Sequence, residues 1–387
     1  MALVPIVLLT SLFFVLVLCY VLFIKPNNKL LLIAIIFIIV FLAIIGLTFQ
    51  ALLIELDKVE AYGELGPFGD YIGGVLNPII SVFAVFAAGF AFYAQYEANK
   101  QVQEQFKIQQ FESQFFEMLR LHKENINEMK ISGYDILMSK SVETGNTKVI
   151  ETNTRTQIER TTEGRKVFVS MNKEFKACYK FCELYNSKRS SKYSKNKILE
   201  LAYRIFLFSS TSNLIFSNEI DSKFILEVKK ELKLIRDIHK ETSGQFNSFP
   251  GIGNKNIDLH IKYSPFTGHQ SRLGHYYRHL FSTVKYVVKK EKEGLFSYKQ
   301  SREYLKILRA QMSNDEQIML YYNYIIGFGA NWDYLGEEGN EFLTKYRMLH
   351  NLPVDNLKYV ENPRKHFQRF IESINDDDPM FEWGDKQ

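Results

Sequence analysis

The chain has 387 residues, of which 46% are hydrophobic and 24% charged, with a formal net charge of +5 at pH 7. This length allows two or three domains, and so modest a charge is compatible with nucleic acid or anionic lipid without identifying either. The three cysteines form no metal signature, because Cys178 and Cys182 are four apart and a zinc site would need two further ligands that nothing nearby supplies.

Two uncharged runs open the chain. Residues 2–24 and 30–54 carry no charged side chain, and each exceeds the roughly 20 apolar residues that a helix needs to cross a bilayer. A cleavable signal peptide is the alternative for the first run, but that run lacks a basic n-region, is too long, and is followed almost at once by the second. The sequence therefore predicts two transmembrane helices.

A third uncharged run, residues 71–94, is less regular because glycines and the Asn77–Pro78 pair interrupt its first third. Asn suits a helix cap and Pro the first helical turn, so we expect a loop or half-buried entry over residues 71–77 and a helix from near Pro78. An interfacial or core helix is the alternative. Small residues on one face would let this helix pack closely against the other two: Ala84, Ala87, Ala88 and Ala91.

The charges of the connecting segments predict the orientation. The short Lys25–Lys29 connection is basic and should face the cytoplasm, whereas the connection from Glu55 to Asp70 has five acids and only Lys58. Three spans place the N-terminus outside and everything after residue 95 in the cytoplasm. Two spans would place that large part outside.

The part after the spans carries all but three of the 48 Lys and Arg residues and all but five of the 43 Asp and Glu residues, a net of +7. Residues 95–130 contain no Gly or Pro and predict a membrane-proximal helix or coiled coil, which either pairs with a second copy or stays single. The polar residues 131–164 predict an exposed connection or a β-hairpin. An apolar stripe marks the helix: Phe111, Phe115, Met118, Leu119 and Ile126.

Helical patterns return over residues 165–375, and an acidic tail follows over residues 376–387. We therefore predict a mainly α fold. An N-terminal three-helix transmembrane bundle over residues 1–94 is followed by the long membrane-proximal helix and a cytosolic all-α domain with minor β structure.

The stretch GHQSRLGHYYRHLF at residues 268–281 concentrates histidine and arginine. Apolar residues spaced by three and four predict a helix from about 271 to 290 with a buried stripe: Leu273, Tyr277, Leu280, Val284 and Val287 or Val288. This helix would place Arg272, His275 and His279 on one face, with His269 just before it at the same end. Such a face suits phosphodiester cleavage, because an Arg holds the phosphate while a His moves protons.

Three interpretations of this face stay open. Arg272, six residues and His279 resemble the motif of the HEPN ribonucleases, although Leu273 stands where those enzymes usually have a polar residue. A metal site from His269, His275 and His279 with Glu316 is a second interpretation. The third is that these histidines are hydrogen-bonded residues that join helices.

A second polar constellation follows in YLKILRAQMSNDEQIMLYYN at residues 304–323. Arg309 and Glu316 are seven apart and share a helix face. They predict either a structural ion pair with a neighbouring helix or additional members of the histidine site.

Six blocks follow in order along most of the chain, up to the acidic tail: GPFGDYIGGVLNP, QQFESQFFEMLRLHKENI, GRKVF, GHQSRLGHYYRHL, YLKILRAQMSNDEQIMLYYN and LTKYRMLHNLP. Together these blocks resemble the phage abortive-infection family of AbiC-like bacterial membrane proteins. The resemblance implies antiviral defence at the bacterial inner membrane, in which an infected cell stops growing or dies before the phage matures. It transfers no catalytic residues.

The leading hypothesis is a multi-pass membrane protein whose cytosolic domain cleaves or binds RNA through Arg272, His275 and His279, aided by Arg309 and Glu316. As an enzyme it would be a metal-independent ribonuclease without a cofactor. The competing hypothesis is a non-enzymatic sensor that rearranges the helices and permeabilises the membrane, and a third is a scaffold for another defence protein. The expected partners are the bilayer, a second copy, RNA, and a phage-encoded trigger or a partner defence protein.

Overall fold

A computed structural model describes residues 29–56, 65–145, 148–216, 219–244, 257, 259–334, 339–357, 360–374 and 377–385. The first predicted span, residues 2–24, lies outside these ranges. The chain divides into two compact units, Met1–Gln110 and Phe111–Gln387. Its described part is mainly helical, which confirms the predicted fold class at that level.

The first unit contains helix α1, Lys29–Leu56, and the beginning of helix α2, Leu65–Asn127. The two helices contact each other through aromatic rings: the Phe37 ring centroid lies 4.9 Å from that of Phe83 and 5.6 Å from that of Phe90. The contact is thus made by phenylalanines, and the alanine face expected from the sequence is exposed.

Helix α2 does not begin near Pro78, and the expected loop over residues 71–77 is helical. Pro78 lies inside the helix, where its missing N–H leaves one carbonyl of the preceding turn without its usual donor. The freed carbonyl is that of Gly74, four residues earlier, whereas the Ser81 hydroxyl donates to the Asn77 carbonyl at 2.7 Å.

Among the described residues one helix, Ile80–Asn127 within α2, is long and apolar enough to cross a membrane. Core helices of soluble proteins and signal sequences can have the same length and apolar composition. The apolar stretch Ile35–Ile44 is shorter. The bundle of three spans is therefore not confirmed and stays a prediction.

The end of α2 is part of the second unit. Phe111 and Phe115 are buried, and the Phe111 ring centroid lies 4.4 Å from that of Phe296. The Tyr304 hydroxyl donates to Glu112 at 2.7 Å. Three members of the predicted apolar stripe (Phe111, Phe115 and Ile126) are thereby in the core, which fixes the helix face that carries His122.

A long antiparallel hairpin follows, formed by β1, Lys130–Gly145, and β2, Lys148–Glu163. Its base is anchored near Gly133, where the next amide, that of Tyr134, donates to the Lys262 carbonyl at 2.8 Å. A Cβ at position 133 would lie 1.8 Å from that carbonyl oxygen, so only glycine allows this approach. The Gly164 amide then donates to the Met129 carbonyl, which brings Arg165 close to the end of α2.

The rest of the second unit packs its helices around one core in which α3, α4, α6 and α8 contribute the largest buried side chains. Serine caps begin α7 and α8, where Ser297 and Ser313 form capping boxes with Gln300 and Glu316. The helices are α3 (Arg165–Ser187), α4 (Lys195–Phe208), α5 (Ser222–Glu241), α6 (Gln270–Lys292), α7 (Tyr298–Ala310), α8 (Asn314–Ile325), α9 (Pro363–His366) and α10 (Gln368–Ile371).

Candidate functional site at the histidine face of helix α6

Helix α6 begins directly after a close chain approach. Gly268 has a φ of +92°, and a Cβ there would lie 2.9 Å from the Ser209 amide nitrogen. The His269 amide donates to the Leu207 carbonyl at 2.9 Å, which fixes the start of the helix against α4. Tyr276 is buried beside the apolar stripe that the sequence predicts. The stripe itself is buried along its whole length: Leu273, Tyr277, Leu280, Val284, Val287 and Val288.

Arg272 and His279, the two residues of the ribonuclease-like spacing, both contact main-chain carbonyls near the end of α2. The Arg272 Nε donates to the Lys130 carbonyl at 2.9 Å. The His279 Nε2 lies 2.8 Å from the Met118 carbonyl, which can only accept, so that nitrogen carries the proton. The structure therefore places both residues on the surface that holds the chain from Met118 to Lys130.

His275 lies on the same helix face but is exposed, and its Nδ1 is 3.5 Å from Nη2 of Arg278. His269, in contrast, is buried and lies 2.8 Å through Nε2 from Glu174, whose other oxygen accepts from the Phe266 amide at 2.6 Å. His269 thus holds the loop before α6 in place. The structure does not bring His269, His275 and His279 together as a metal site would require.

Glu316 is fully buried at the start of α8 and lies beside α6. One of its oxygens accepts from the Ser313 hydroxyl at 2.8 Å, and the other accepts from the Tyr276 hydroxyl at 2.9 Å. The Arg165 Nε lies 3.7 Å away. Burial raises the pKa of Glu316, while these hydrogen bonds and the Arg165 charge act in the opposite direction.

His122, which the sequence reasoning did not single out, lies next to His279. The two imidazole rings are nearly parallel, with 6.0 Å between their centroids, and the Tyr276 ring centroid is 5.4 Å from that of His122. Neither ring nitrogen of His122 has a hydrogen-bond partner in the described part of the chain. Burial lowers the pKa of His122 to about 4, assisted by the charges of His279 and Arg165, so the ring is neutral at pH 7.

These residues form a polar group that we call the histidine cluster: His122, Arg165, Tyr276, His279 and Glu316. They come from α2, α3, α6 and α8. His122 and Arg165 each lie in a block that carries the family resemblance, LRLHKENI and GRKVF, and that was the signal that could have found them.

The cluster combines the neutral imidazole of His122, the imidazole of His279, and the guanidinium of Arg165, whose side chain is 55% exposed. Such a set can bind an oxyanion and move a proton. Across the described residues, no group of three or more His, Cys, Asp or Glu side chains is arranged to hold a metal ion.

Arg309 belongs to a different environment. Its Nη1 donates to the Arg347 carbonyl at 2.9 Å, and the charges that act on it come from Arg302, Glu382, Asp378 and Arg347. The structure therefore separates Arg309 from Glu316, although the two share a sequence spacing of seven. The ion pair with Glu316 is made by Arg165 instead.

Comparison with known proteins finds one family. Residues 268–357 match the family model described as "Putative phage abortive infection protein", which supports the resemblance seen in the sequence. The matched segment includes Tyr276, His279 and Glu316 of the histidine cluster. None of the curated proteins and none of the solved structures matches the chain.

Proposed function

We propose, from the similarity of residues 268–357 to phage abortive-infection proteins, that this chain is a membrane-anchored defence protein that stops an infected cell before the phage matures. The uncharged runs at residues 2–24, 30–54 and 71–94 supply the anchor. Exposed apolar side chains on α2, such as Val85 and Phe92 at 72% each, fit a lipid environment. The loop charges favour a cytoplasmic second unit.

The observation that carries the mechanism is the hydrogen bonding of Arg272 and His279 to the carbonyls of Lys130 and Met118. These bonds hold the end of α2, and α2 also includes the apolar residues 80–94. In this proposal the second unit is a sensor. Its hydrogen bonds to the end of α2 control the arrangement of the apolar helices, and these helices permeabilise the membrane. Because few polar groups lie in the spans, several copies must assemble to form a pore.

A phage-survival assay tests this function. Cells expressing His279→Ala should lose protection at normal membrane abundance, because the contact with Met118 is lost, and a potential-sensitive dye should report no depolarisation. The matched control is His275→Ala, which removes an exposed histidine from the same helix face and should protect like the wild type. Equal protection by both variants, or a stable membrane potential during protective infection, would contradict the proposal.

RNA cleavage is the second candidate, and the observation that favours it is the buried, unpartnered His122 beside His279 and Arg165. Once a movement of the packed helices admits RNA to this buried ring, His122 would accept the proton of a ribose 2′-hydroxyl, whose oxygen attacks the phosphorus while the bond to the 5′-oxygen breaks. His279 would give a proton to that leaving oxygen, and Arg165 would neutralise the phosphate. The products are a 2′,3′-cyclic phosphate and a 5′-hydroxyl.

The change His122→Leu separates the two candidates. A leucine keeps the apolar contacts of this position but cannot accept a proton. If the apolar helices are the effector, the variant protects cells and depolarises membranes as the wild type does. If RNA is the target, protection and the breakdown of total RNA during infection are both lost, while Arg165→Gln gives the same phenotype.

A further inference from the structure

Three buried arginines meet outside the histidine cluster. Arg302, Arg309 and Arg347 are 8%, 9% and 3% exposed, and we call them the arginine cluster. Arg302 forms a two-pronged ion pair with Asp378, with 2.9 Å for each of its two N–O contacts. The Arg347 Nη2 donates to the same carboxylate at 3.2 Å. One carboxylate thus lies between two guanidiniums.

The arginines and their counter-charges come from different parts of the chain. All three arginines lie within the family-matched residues 268–357. The acids whose charges act on them are Asp378, Glu382 and Asp385, and all three belong to the segment after the match. Since buried charge is costly unless it is paired, the matched segment alone would carry uncompensated positive charge.

The arginine cluster also contains buried hydrogen-bond donors that lack an acceptor among the described residues. The Nε atoms of Arg302 and Arg347 are buried, and neither has a hydrogen-bond partner among the residues that the structure describes. Arg347 has a φ of +57°, a left-handed conformation that costs a non-glycine residue energy and that is concentrated at ligand sites. The two buried donors without a partner are the feature that points to a ligand at this place.

The tail covers the cluster without sealing it. Met380 and Phe381 are buried and anchor the tail, and His350 Nδ1 lies 3.1 Å from the Met380 carbonyl. The Asp378 side chain is 51% exposed and lies between the solvent and Arg302. Displacing this carboxylate would free both Nη atoms of Arg302 and Nη2 of Arg347 from it, while Nη1 of Arg347 stays bonded to the Thr344 carbonyl.

We propose that the arginine cluster is a binding site for a phosphate-bearing small molecule and that Asp378 is an intrachain occupant which this ligand displaces. Guanidinium forks bind phosphate oxygens in the same two-pronged geometry as a carboxylate. A phosphate brings more negative charge than Asp378 and more acceptor oxygens, which the unpaired Nε donors can use. Binding would remove the ion-pair anchor of residues 377–385 and leave the buried Met380 and Phe381 as the remaining anchor, so that the segment loosens. This gives the second unit an input independent of the histidine cluster.

Calorimetric titration of the full-length chain in detergent with sodium pyrophosphate tests this site. The variant Asp378→Ala removes the competing carboxylate and should bind pyrophosphate at least about tenfold more tightly than the wild type, since a site free of its occupant is fully available. The matched control is Asp377→Ala, which removes the same charge from an exposed neighbour and should bind like the wild type. Adding Arg302→Gln to Asp378→Ala should abolish binding.

A second measurement keeps the proposal testable if a variant fails to fold. Hydrogen exchange of wild-type residues 377–385 should accelerate when pyrophosphate is added, because their anchor at Asp378 is lost. Titrations with inorganic phosphate and ADP then distinguish a simple phosphate ligand from a nucleotide. The proposal is overturned if no folded variant binds saturably, if Asp377→Ala matches Asp378→Ala, or if exchange in the tail is unchanged.

Discussion

The imidazole of His122 lies parallel to that of His279 within 15°, and neither nitrogen of His122 has a hydrogen-bond partner among the described residues. Buried polar groups are nearly always paired, since an unmade hydrogen bond costs stability. The His122 ring therefore carries a cost that apolar packing would avoid. A variant that removes the His122 imidazole therefore tests whether the ring is kept for function rather than for stability.

The first prediction follows from that cost. Replacing His122 by Leu should raise the free energy of unfolding at pH 7 by about 1 kcal/mol, because the lost polar group made no hydrogen bond. Denaturant unfolding of the full-length chain, followed by tryptophan fluorescence, measures this change. A destabilisation of similar size would show that His122 has a bonding partner and would remove the argument for a functional cost.

A second prediction concerns pH. The folded-state pKa of His122 is lowered to about 4 from a value of 6.5, chiefly by burial. Between these two values the unfolded chain binds more protons than the folded one, so acidification from pH 7 to pH 4 weakens the fold. The loss from this group is on the order of 3 kcal/mol.

Unfolding curves of the wild type and His122→Leu at several pH values check this loss. The stability difference between the two should widen steadily as the pH falls from 7 towards 4. A constant difference across that range would show that His122 titrates normally and is not desolvated in the folded state.

The third prediction concerns the hold of α6 on the end of α2. His279→Ala removes the donor to the Met118 carbonyl and should cost about 1 kcal/mol of unfolding free energy, the usual worth of such a bond. His275→Ala, on the exposed part of the same face, should change stability by less than about 0.5 kcal/mol. Equal effects would mean that the His279 bond contributes nothing.

A fourth prediction concerns the entry to α6. Gly268→Ala places a Cβ 2.9 Å from the Ser209 amide nitrogen at a φ of +92°, so both backbone strain and a close contact result. Gly294→Ala is the matched control, since its φ is +78° but nothing lies within 4 Å of the added atom. We expect a loss of about 1 kcal/mol for Gly294→Ala and clearly more for Gly268→Ala. Thermal melts of the two variants, compared directly, decide the point.

The fifth prediction separates the two roles of Glu316. Glu316→Gln keeps one oxygen acceptor for Ser313, and its amide NH2 can donate to the Tyr276 hydroxyl, so it should cost less than about 1 kcal/mol. Glu316→Ala loses the capping box and leaves the Tyr276 hydroxyl without its acceptor, at about 2–3 kcal/mol. Chemical unfolding of both variants measures the difference. If Glu316→Gln destabilises the protein as much as Glu316→Ala does, the negative charge of Glu316 and its pairing with Arg165 contribute more to stability than the two hydrogen bonds.

Periodicity alone was enough to place α6. Apolar residues at three- and four-residue spacing predicted a helix from about 271 to 290, and the structure has it from Gln270 to Lys292. Burial of the apolar stripe follows directly, because an apolar helix face is stabilised when it packs against other apolar groups and is removed from water. The polar stripe with Arg272, His275 and His279 follows from the same geometry.

The partners of that polar stripe required the tertiary structure. Arg272 and His279 reach carbonyls more than a hundred residues earlier in the chain, and His122 and Arg165 join the cluster from two further helices. The sequence spacing of Arg309 and Glu316 predicted a shared helix face, and this was wrong because α7 ends at Ala310 and α8 begins at Asn314, so the two residues lie on different helices. Local spacing fixes the relations within one helix, whereas contacts between helices depend on how several apolar faces pack together. The helical content and the faces of single helices were therefore readable from the residues, and the composition of both the histidine cluster and the arginine cluster was decided by packing.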